Sequence, residues 1–405
     1  MPEPLTGGIT PAAPGGDRPT GSQKPAEAGE TPGSSVPDAL SRVASPPGSG
    51  TEARPQPSEA RALLLTALVL LAGVALGAAG FFVERGMSTW RPEVTRTASG
   101  WRVVQTHRVP FNGMALGGDS LVWTSGPSIV LMDLRSGRLK LLGPGPASRA
   151  TWDPAVSRRY VVWFEAAAAS AGEASAWIYD SATRRRRQLT TLGDVLSLPS
   201  ASGSRAAWCT TTQGGGPGIV AVDIPTGKQS FVAPEYGVPV IDGDLVTWPT
   251  RTGSTGMPAA WALVDLARDR RWSMVPAATL RNAHFLGYDL SGHTLVWGET
   301  DPASGRGRVV AQSVDDGVGL IVAQVTDGAT LTSAPSIDGD LVVWAETLAT
   351  TTVSRVMGRR LGGGPSFIIR DVDGRVLSTA AGGDTVAWLV RHGQASSIET
   401  AKVPQ

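Results

Sequence analysis

Short apolar runs that end in tryptophan recur along the last three quarters of this 405-residue chain. The clearest copies are residues 241–248 (IDGDLVTW) and residues 337–344 (IDGDLVVW). Asp-Gly between two apolar runs is typical of a β-hairpin, because glycine supplies the positive φ that a tight turn needs. The pattern therefore predicts paired antiparallel strands. Seven tryptophans mark it at spacings of 40 to 49 residues: Trp123, Trp163, Trp208, Trp248, Trp297, Trp344 and Trp388.

Each repeat continues after its tryptophan with a polar loop, a second apolar run, a tight turn and a third run. A period of 40 to 50 residues is typical of a β-propeller, whose blades cannot bury their apolar faces alone. Seven units fill residues 98–405, and the seventh ends one strand short. Residues 100–108 supply the missing outer strand. We therefore predict an all-β, seven-bladed β-propeller closed by its N-terminal and C-terminal strands, which removes exposed sheet edges.

The repeat has a recognisable signature. Residues 336–339 (SIDG) precede the strand that ends in Trp344, and residues 131–133 (LMD) precede a turn that contains Gly137. This pattern resembles the TolB-like (WD40-like) β-propeller repeat family over residues 98–405. Residues 157–159 (SRR) depart from it, because they replace the Asp-Gly turn in the second unit. The resemblance implies a fold rather than an activity.

The N-terminal quarter differs in composition. Residues 1–61 contain no aromatic residue and are rich in Pro, Gly, Ser, Ala and Glu, which predicts a disordered tail. Residues 62–83 carry no charge, and a helix of that length spans roughly 30 Å of hydrocarbon. We therefore expect a transmembrane helix, followed by a linker at residues 84–97.

Arginines flank the predicted helix on both sides, so charge does not decide its orientation. We expect a single-pass protein of the cytoplasmic membrane with an extracytoplasmic propeller, because an uncleaved anchor ahead of a folded domain commonly exports it. The excess of Ala, Gly and Pro, with few lysines among the basic residues, is typical of a bacterial protein.

Composition excludes several function classes. The formal net charge is +1 and charges of both signs are interleaved, so we expect no nucleic-acid partner. The single cysteine, Cys209, excludes an intramolecular disulfide and a cysteine-based zinc site. The sequence has no Gly-x-Ser-x-Gly elbow and no His-x-x-x-His pair. We therefore predict no catalytic residue, no metal site and no cofactor.

Candidate functional residues follow the tryptophans. We interpret the seven tryptophans as packing between blades. The loops after them gather on one face, where propellers commonly bind partners. Candidate ligand-binding residues there are Glu165, Arg251, Glu299, Glu346, Arg391 and His392. Two interpretations remain open: an acidic rim for a cation, an amine or a basic partner, or polar residues that face water.

A run of four arginines, residues 184–187, lies at the turn into the outer strand of the second unit. It is interpreted either as a site for anionic lipid or polymer or as a solvated edge strand that is protected against pairing.

The expected function is non-enzymatic recognition of a protein, peptide or envelope polymer on the loop face. Two alternatives remain open. The first is a glycan-active hydrolase or lyase that uses loop carboxylates. The second is a sensor that signals through the transmembrane helix.

Overall fold

The described part of the chain is entirely β-structure and contains no helix. The computed structural model describes residues 92–403, apart from 106–110, 126–127, 144–147, 152–153, 168–173, 193, 213, 251–255, 278–279, 281–282, 302, 326–327, 349–350 and 394. The predicted tail (1–61) and transmembrane helix (62–83) lie outside these residues. Within the described ranges, no helix has the length and apolar character needed to cross a membrane.

The strands form seven antiparallel sheets, each of four or five strands. Strands β1 (Glu93–Arg96) and β2 (Trp101–Gln105) come first in the chain. Blade 1 contains β3 (Phe111–Gly117), β4 (Ser120–Ser125), β5 (Ser128–Asp133) and β6 (Leu139–Leu141). Blade 2 contains β7 (Ser148–Thr151), β8 (Ala155–Val156), β9 (Tyr160–Ala167), β10 (Ala174–Asp180) and β11 (Arg185–Leu192). Blade 3 contains β12 (Ser200–Ser202), β13 (Arg205–Thr211), β14 (Pro217–Asp223) and β15 (Gln229–Ala233).

The second half of the ring repeats this order. Blade 4 contains β16 (Val240–Asp242), β17 (Leu245–Pro249), β18 (Trp261–Asp265) and β19 (Arg270–Met274). Blade 5 contains β20 (His284–Ser291), β21 (Thr294–Asp301), β22 (Arg306–Ser313) and β23 (Gly319–Val325). Blade 6 contains β24 (Ala329–Leu331), β25 (Ser336–Asp338), β26 (Leu341–Leu348), β27 (Val353–Arg360) and β28 (Phe367–Asp373). Blade 7 contains β29 (Arg375–Gly382), β30 (Thr385–His392) and β31 (Ala395–Lys402).

Blade 7 is completed by the N-terminal strands. Its strand order is β1-β2-β31-β30-β29, and Val103 of β2 pairs with Ile398 of β31. The N-terminal strand that the sequence predicted therefore closes the ring. Strand β1 adds a further outer strand within residues 84–97, where we expected a linker. The fold is the predicted all-β seven-bladed propeller.

In each blade a tight turn leads into the strand that carries the tryptophan. Six of these turns begin with a glycine whose φ lies between 56° and 63°, as a two-residue hairpin turn requires. The glycines are Gly118, Gly203, Gly243, Gly292, Gly339 and Gly383. In blade 2 the two turn residues are Arg158 and Arg159, and neither has a positive φ. Its turn is held instead by Ser157, whose hydroxyl oxygen accepts a hydrogen bond from the Tyr160 N–H at 3.1 Å.

Seven apolar clusters form the core, one between each pair of adjacent blades. Each contains one of the seven repeat tryptophans, which packs against the preceding blade. Trp208 of blade 3, for example, packs with Val162 and Phe164 of blade 2. All seven tryptophans are at most 2% exposed. Burying so large a side chain at every blade boundary explains why the repeat is marked by tryptophan.

The inner strands contact one another in a closed ring, in the order β3, β8, β12, β16, β20, β25, β29 and back to β3. Only one edge of an inner strand pairs within its own blade. The other edge faces the axis, so its polar backbone groups need partners from elsewhere.

Candidate functional site

A cavity of about 670 Å³ lies on the axis and is lined by residues from all seven blades. Side chains alternate along a strand, and the apolar residue two positions before each turn glycine, such as Ile241 or Ile337, is buried in the core. The residues one and three positions before the glycine therefore face the cavity. Its volume falls within the range of small-ligand pockets.

The cavity wall has two different sides. At the positions one and three residues before the turn, blades 3 to 6 carry serine or aspartate, apart from Val240, and blades 7, 1 and 2 carry alanine, glycine or Ser157. The polar residues are Ser200, Ser202, Asp242, Asp289, Ser291, Ser336 and Asp338. The small residues are Ala380, Gly382, Ala115, Gly117 and Ala155.

The polar side chains satisfy the free edges of the inner strands. Ser200 Oγ accepts a hydrogen bond from the Ile241 N–H of the next blade at 3.1 Å, and Ser291 Oγ accepts one from the Gly339 N–H at 2.9 Å. The carboxylate of Asp338 accepts one from the Gly383 N–H. These side chains therefore join blade to blade as well as lining the cavity.

On the other side the blades approach backbone to backbone. A Cβ atom added at Gly117 would lie 2.9 Å from the carbonyl oxygen of Val156. One added at Gly382 would lie 2.8 Å from Leu116 Cγ. Glycine is therefore required at these two positions by the closeness of the neighbouring blade, although neither has positive φ.

Asp289 lies in the middle of the polar side. Its Oδ2 accepts hydrogen bonds from Ser336 Oγ at 2.8 Å and from the Ile337 N–H at 3.0 Å, both in blade 6. Desolvation by the surrounding protein, together with a smaller contribution from the charge of Asp242, raises the pKa of Asp289 to about 6. Protein packs around Asp289, yet part of its surface remains exposed.

Arg158 is the one cationic side chain in this cavity wall. It occupies the turn position that holds glycine in the other six blades, and a Cβ atom added at Gly118 would lie 3.5 Å from Arg158 Cγ. The side chain is exposed, and in the described part of the chain its guanidinium makes no hydrogen bond or ion pair. Blades 5 and 6 are the farthest from blade 2 in a ring of seven. Arg158 therefore lies on the opposite side of the ring from the blades that carry Asp289 and Asp338.

The structure places Glu165 in the protein interior. Its side chain is 2% exposed and accepts a hydrogen bond from Trp163 Nε1 at 2.7 Å. Arg186 of the outer strand donates to both carboxylate oxygens, at 2.7 and 2.9 Å. The guanidinium of Arg186 also lies over the Trp177 ring at 4.1 Å. This carboxylate is held by internal partners and does not face the loop surface.

Glu299 occupies the equivalent position in blade 5 and is fully buried. Its Oε1 accepts hydrogen bonds from Arg308 Nε at 2.8 Å and from the Leu280 N–H at 3.0 Å. Burial raises the pKa of Glu299, while the charge of Arg308 lowers it. Glu346 in blade 6 is half-buried and accepts a hydrogen bond from Trp344 Nε1 at 2.7 Å. A glutamate two residues beyond the tryptophan thus forms hydrogen bonds or an ion pair within its own blade.

The structure describes two of the three remaining predicted residues. Arg391 is exposed at the end of β30, and His392 Nε2 lies 3.4 Å from Ser397 Oγ. Arg251 lies outside the described residues. No described contact joins any of these residues to the three glutamates.

The arginine run also has internal partners. Besides Arg186, the guanidinium of Arg187 donates to the carbonyl oxygen of Ile224 in blade 3. Two of the four arginines therefore tie the outer strand of blade 2 to its surroundings.

The sequence analysis missed the cavity residues because it assigned Asp242 and Asp338 to their turns alone. Aligning the seven turns shows that the position before the glycine is Gly, Ser or Asp, and this identifies the blades with a polar side chain there. Among the residues with described positions, no three His, Cys, Asp or Glu side chains are grouped closely enough to hold a metal ion.

Comparison with known proteins defines the fold class. No protein-family model and no curated protein matches the chain. An oligogalacturonate lyase in complex with manganese is similar, with a TM-score of 0.53 at 12% identity over 78% of this chain and 96% of that one. The propeller domain of the Trilobed protease from Pyrococcus furiosus, described as having an open velcro topology, has a TM-score of 0.51 at 8% identity. The match covers 74% of this chain and 97% of that one. TolB from Acinetobacter baumannii has a TM-score of 0.41 at 13% identity, over 78% of this chain and 80% of that one. The chain is a seven-bladed β-propeller whose structural neighbours have mixed functions.

Proposed function

We propose that this chain is a non-enzymatic binding module, anchored in the cytoplasmic membrane by residues 62–83, with its propeller outside the cytoplasm. The observation that carries the binding role is the axial cavity, into which every blade contributes residues. It offers carboxylates on one wall and, on the other, the guanidinium of Arg158, which has no partner among the described residues. Groups of this kind recognise a ligand by charge and hydrogen bonding.

The loop carboxylates support binding over glycan cleavage. A hydrolase needs a pair of carboxyl groups on either side of the scissile bond, one of them free to donate a proton. Glu165 and Glu299 are instead buried and paired with Arg186 and Arg308. The neighbouring oligogalacturonate lyase shares the fold at 12% identity, and this likeness does not transfer its activity.

The membrane orientation is tested by cysteine labelling in intact cells. Cys209 is the only cysteine and is buried, so background labelling is low. Val275→Cys places a thiol at a propeller position that is 73% exposed. Ser58→Cys places one in the predicted tail. We expect a membrane-impermeant maleimide to label Val275→Cys in intact spheroplasts and Ser58→Cys only after lysis. The reverse pattern would overturn the extracytoplasmic assignment.

A further inference from the structure

The axial cavity has a charge pattern that the blade-to-blade contacts explain only in part. The carboxylates of Asp242, Asp289 and Asp338 accept hydrogen bonds from neighbouring blades, which accounts for their presence. Arg158 has no such role in the described structure, because its guanidinium has no partner there. It also stands where the other blades have glycine. A cation without a partner among the described residues and a row of carboxylates thus line opposite sides of one cavity.

We propose that the axial cavity binds a small zwitterion that carries separate ammonium and carboxylate groups, the chemical class to which short peptides belong. The inference rests on the proposed binding function and names its ligand. The ammonium group faces Asp289 and Asp338, whose oxygens and the neighbouring Ser336 hydroxyl are hydrogen-bond acceptors. The carboxylate faces Arg158, whose planar guanidinium matches a carboxylate in a two-point contact.

The small residues of the wall leave room for the middle of such a ligand. Ala115, Ala155 and Ala380 present only methyl groups to the cavity. The volume of about 670 Å³ accommodates a molecule of short-peptide size.

The test uses trialanine as the probe, with the full-length chain in detergent and isothermal titration calorimetry as the readout. Two blocked probes, N-acetyl-trialanine and trialanine amide, each remove one charge. We expect the wild-type protein to bind trialanine at least about tenfold more tightly than either blocked probe, because a hydrogen bond to a charged group contributes more than a neutral one. Trialanine should be recovered unchanged, since the site binds without chemistry.

Variants assign each charge to its wall. Arg158→Gln should bind trialanine and its amide equally while still discriminating against the acetylated probe. Asp338→Asn should bind trialanine and its acetylated form equally while still discriminating against the amide. The new amide oxygen still accepts a hydrogen bond from the Gly383 N–H, so the contact between the blades is kept. Arg159→Gln is the matched control, because Arg159 pairs with Asp180 and does not line the cavity.

Absence of trialanine binding at millimolar concentration, or equal binding of all three probes, overturns the zwitterion proposal. The proposal is also overturned if Arg158→Gln and Asp338→Asn still discriminate between trialanine and the blocked probes as the wild type does. Trialanine would then bind at another site. The orientation assay reads out the membrane assignment separately. If the propeller is cytoplasmic but binds trialanine, only the proposed location is refuted. If it is extracytoplasmic but does not bind trialanine, only the proposed ligand is refuted. Hydrolysis of trialanine refutes the non-enzymatic function.

Discussion

Asp289 gives the propeller a pH dependence that can be calculated from its surroundings. Its pKa is about 6 in the folded protein, against 3.8 for an unperturbed aspartate, because burial disfavours the charged form. A difference of two pKa units corresponds to about 3 kcal/mol. The folded state therefore binds the proton more tightly than the unfolded state. The proton on Asp289 therefore stabilises the fold. This contribution is complete below pH 4 and is lost as the pH rises through 6.

The Asp289→Asn variant removes this titration while keeping an oxygen that accepts from the Ile337 N–H. We expect the stability of the wild type, relative to this variant, to fall by up to about 3 kcal/mol between pH 4 and pH 7. Urea unfolding followed by tryptophan fluorescence measures the difference at each pH. Asp373→Asn, at an exposed carboxylate at the end of β28, is the control. A wild-type-to-variant difference that stays constant from pH 4 to pH 7 would refute the reasoning.

Two further substitutions test the packing of the blades. Glu165→Ala leaves Arg186 without its carboxylate in a largely buried position, so we expect a loss of about 3 to 5 kcal/mol in urea unfolding. The same change at the half-buried Glu346 should cost less, and equal losses would contradict the assigned role of Glu165. Gly382→Val brings side-chain atoms against Leu116, and we expect a loss of about 1 to 3 kcal/mol by overpacking. An unchanged urea midpoint would show that the two blades lie farther apart.

Much of the fold is readable from local patterns. A Gly turn followed by an apolar run to tryptophan specifies a hairpin and a buried anchor, and both are local features. The closing strand was predictable because the seventh unit lacked one strand. Strand β1 was not, because Glu93–Arg96 is a short polar segment whose only signal is its pairing with β2.

The candidate site was less readable, because its partners are distant in sequence. Glu165 resembles a loop residue until Arg186, 21 positions later, is seen to reach its carboxylate. Asp289 is held by residues 47 and 48 positions away, which a search for local motifs does not connect. The departure at residues 157–159 is visible in the sequence, but no local pattern places Arg158 in one cavity with Asp289 and Asp338. Long-range pairing, and not residue type, decides which carboxylates face the cavity.

The central claim is that the axial cavity is a ligand site with a charge on each wall. The most direct test is a crystal structure of the protein with trialanine bound. We predict electron density in the cavity, with the ammonium group beside Asp289 and Asp338 of blades 5 and 6 and the carboxylate beside Arg158 of blade 2. An empty cavity at saturating trialanine, or density on the loop face instead, would contradict the account.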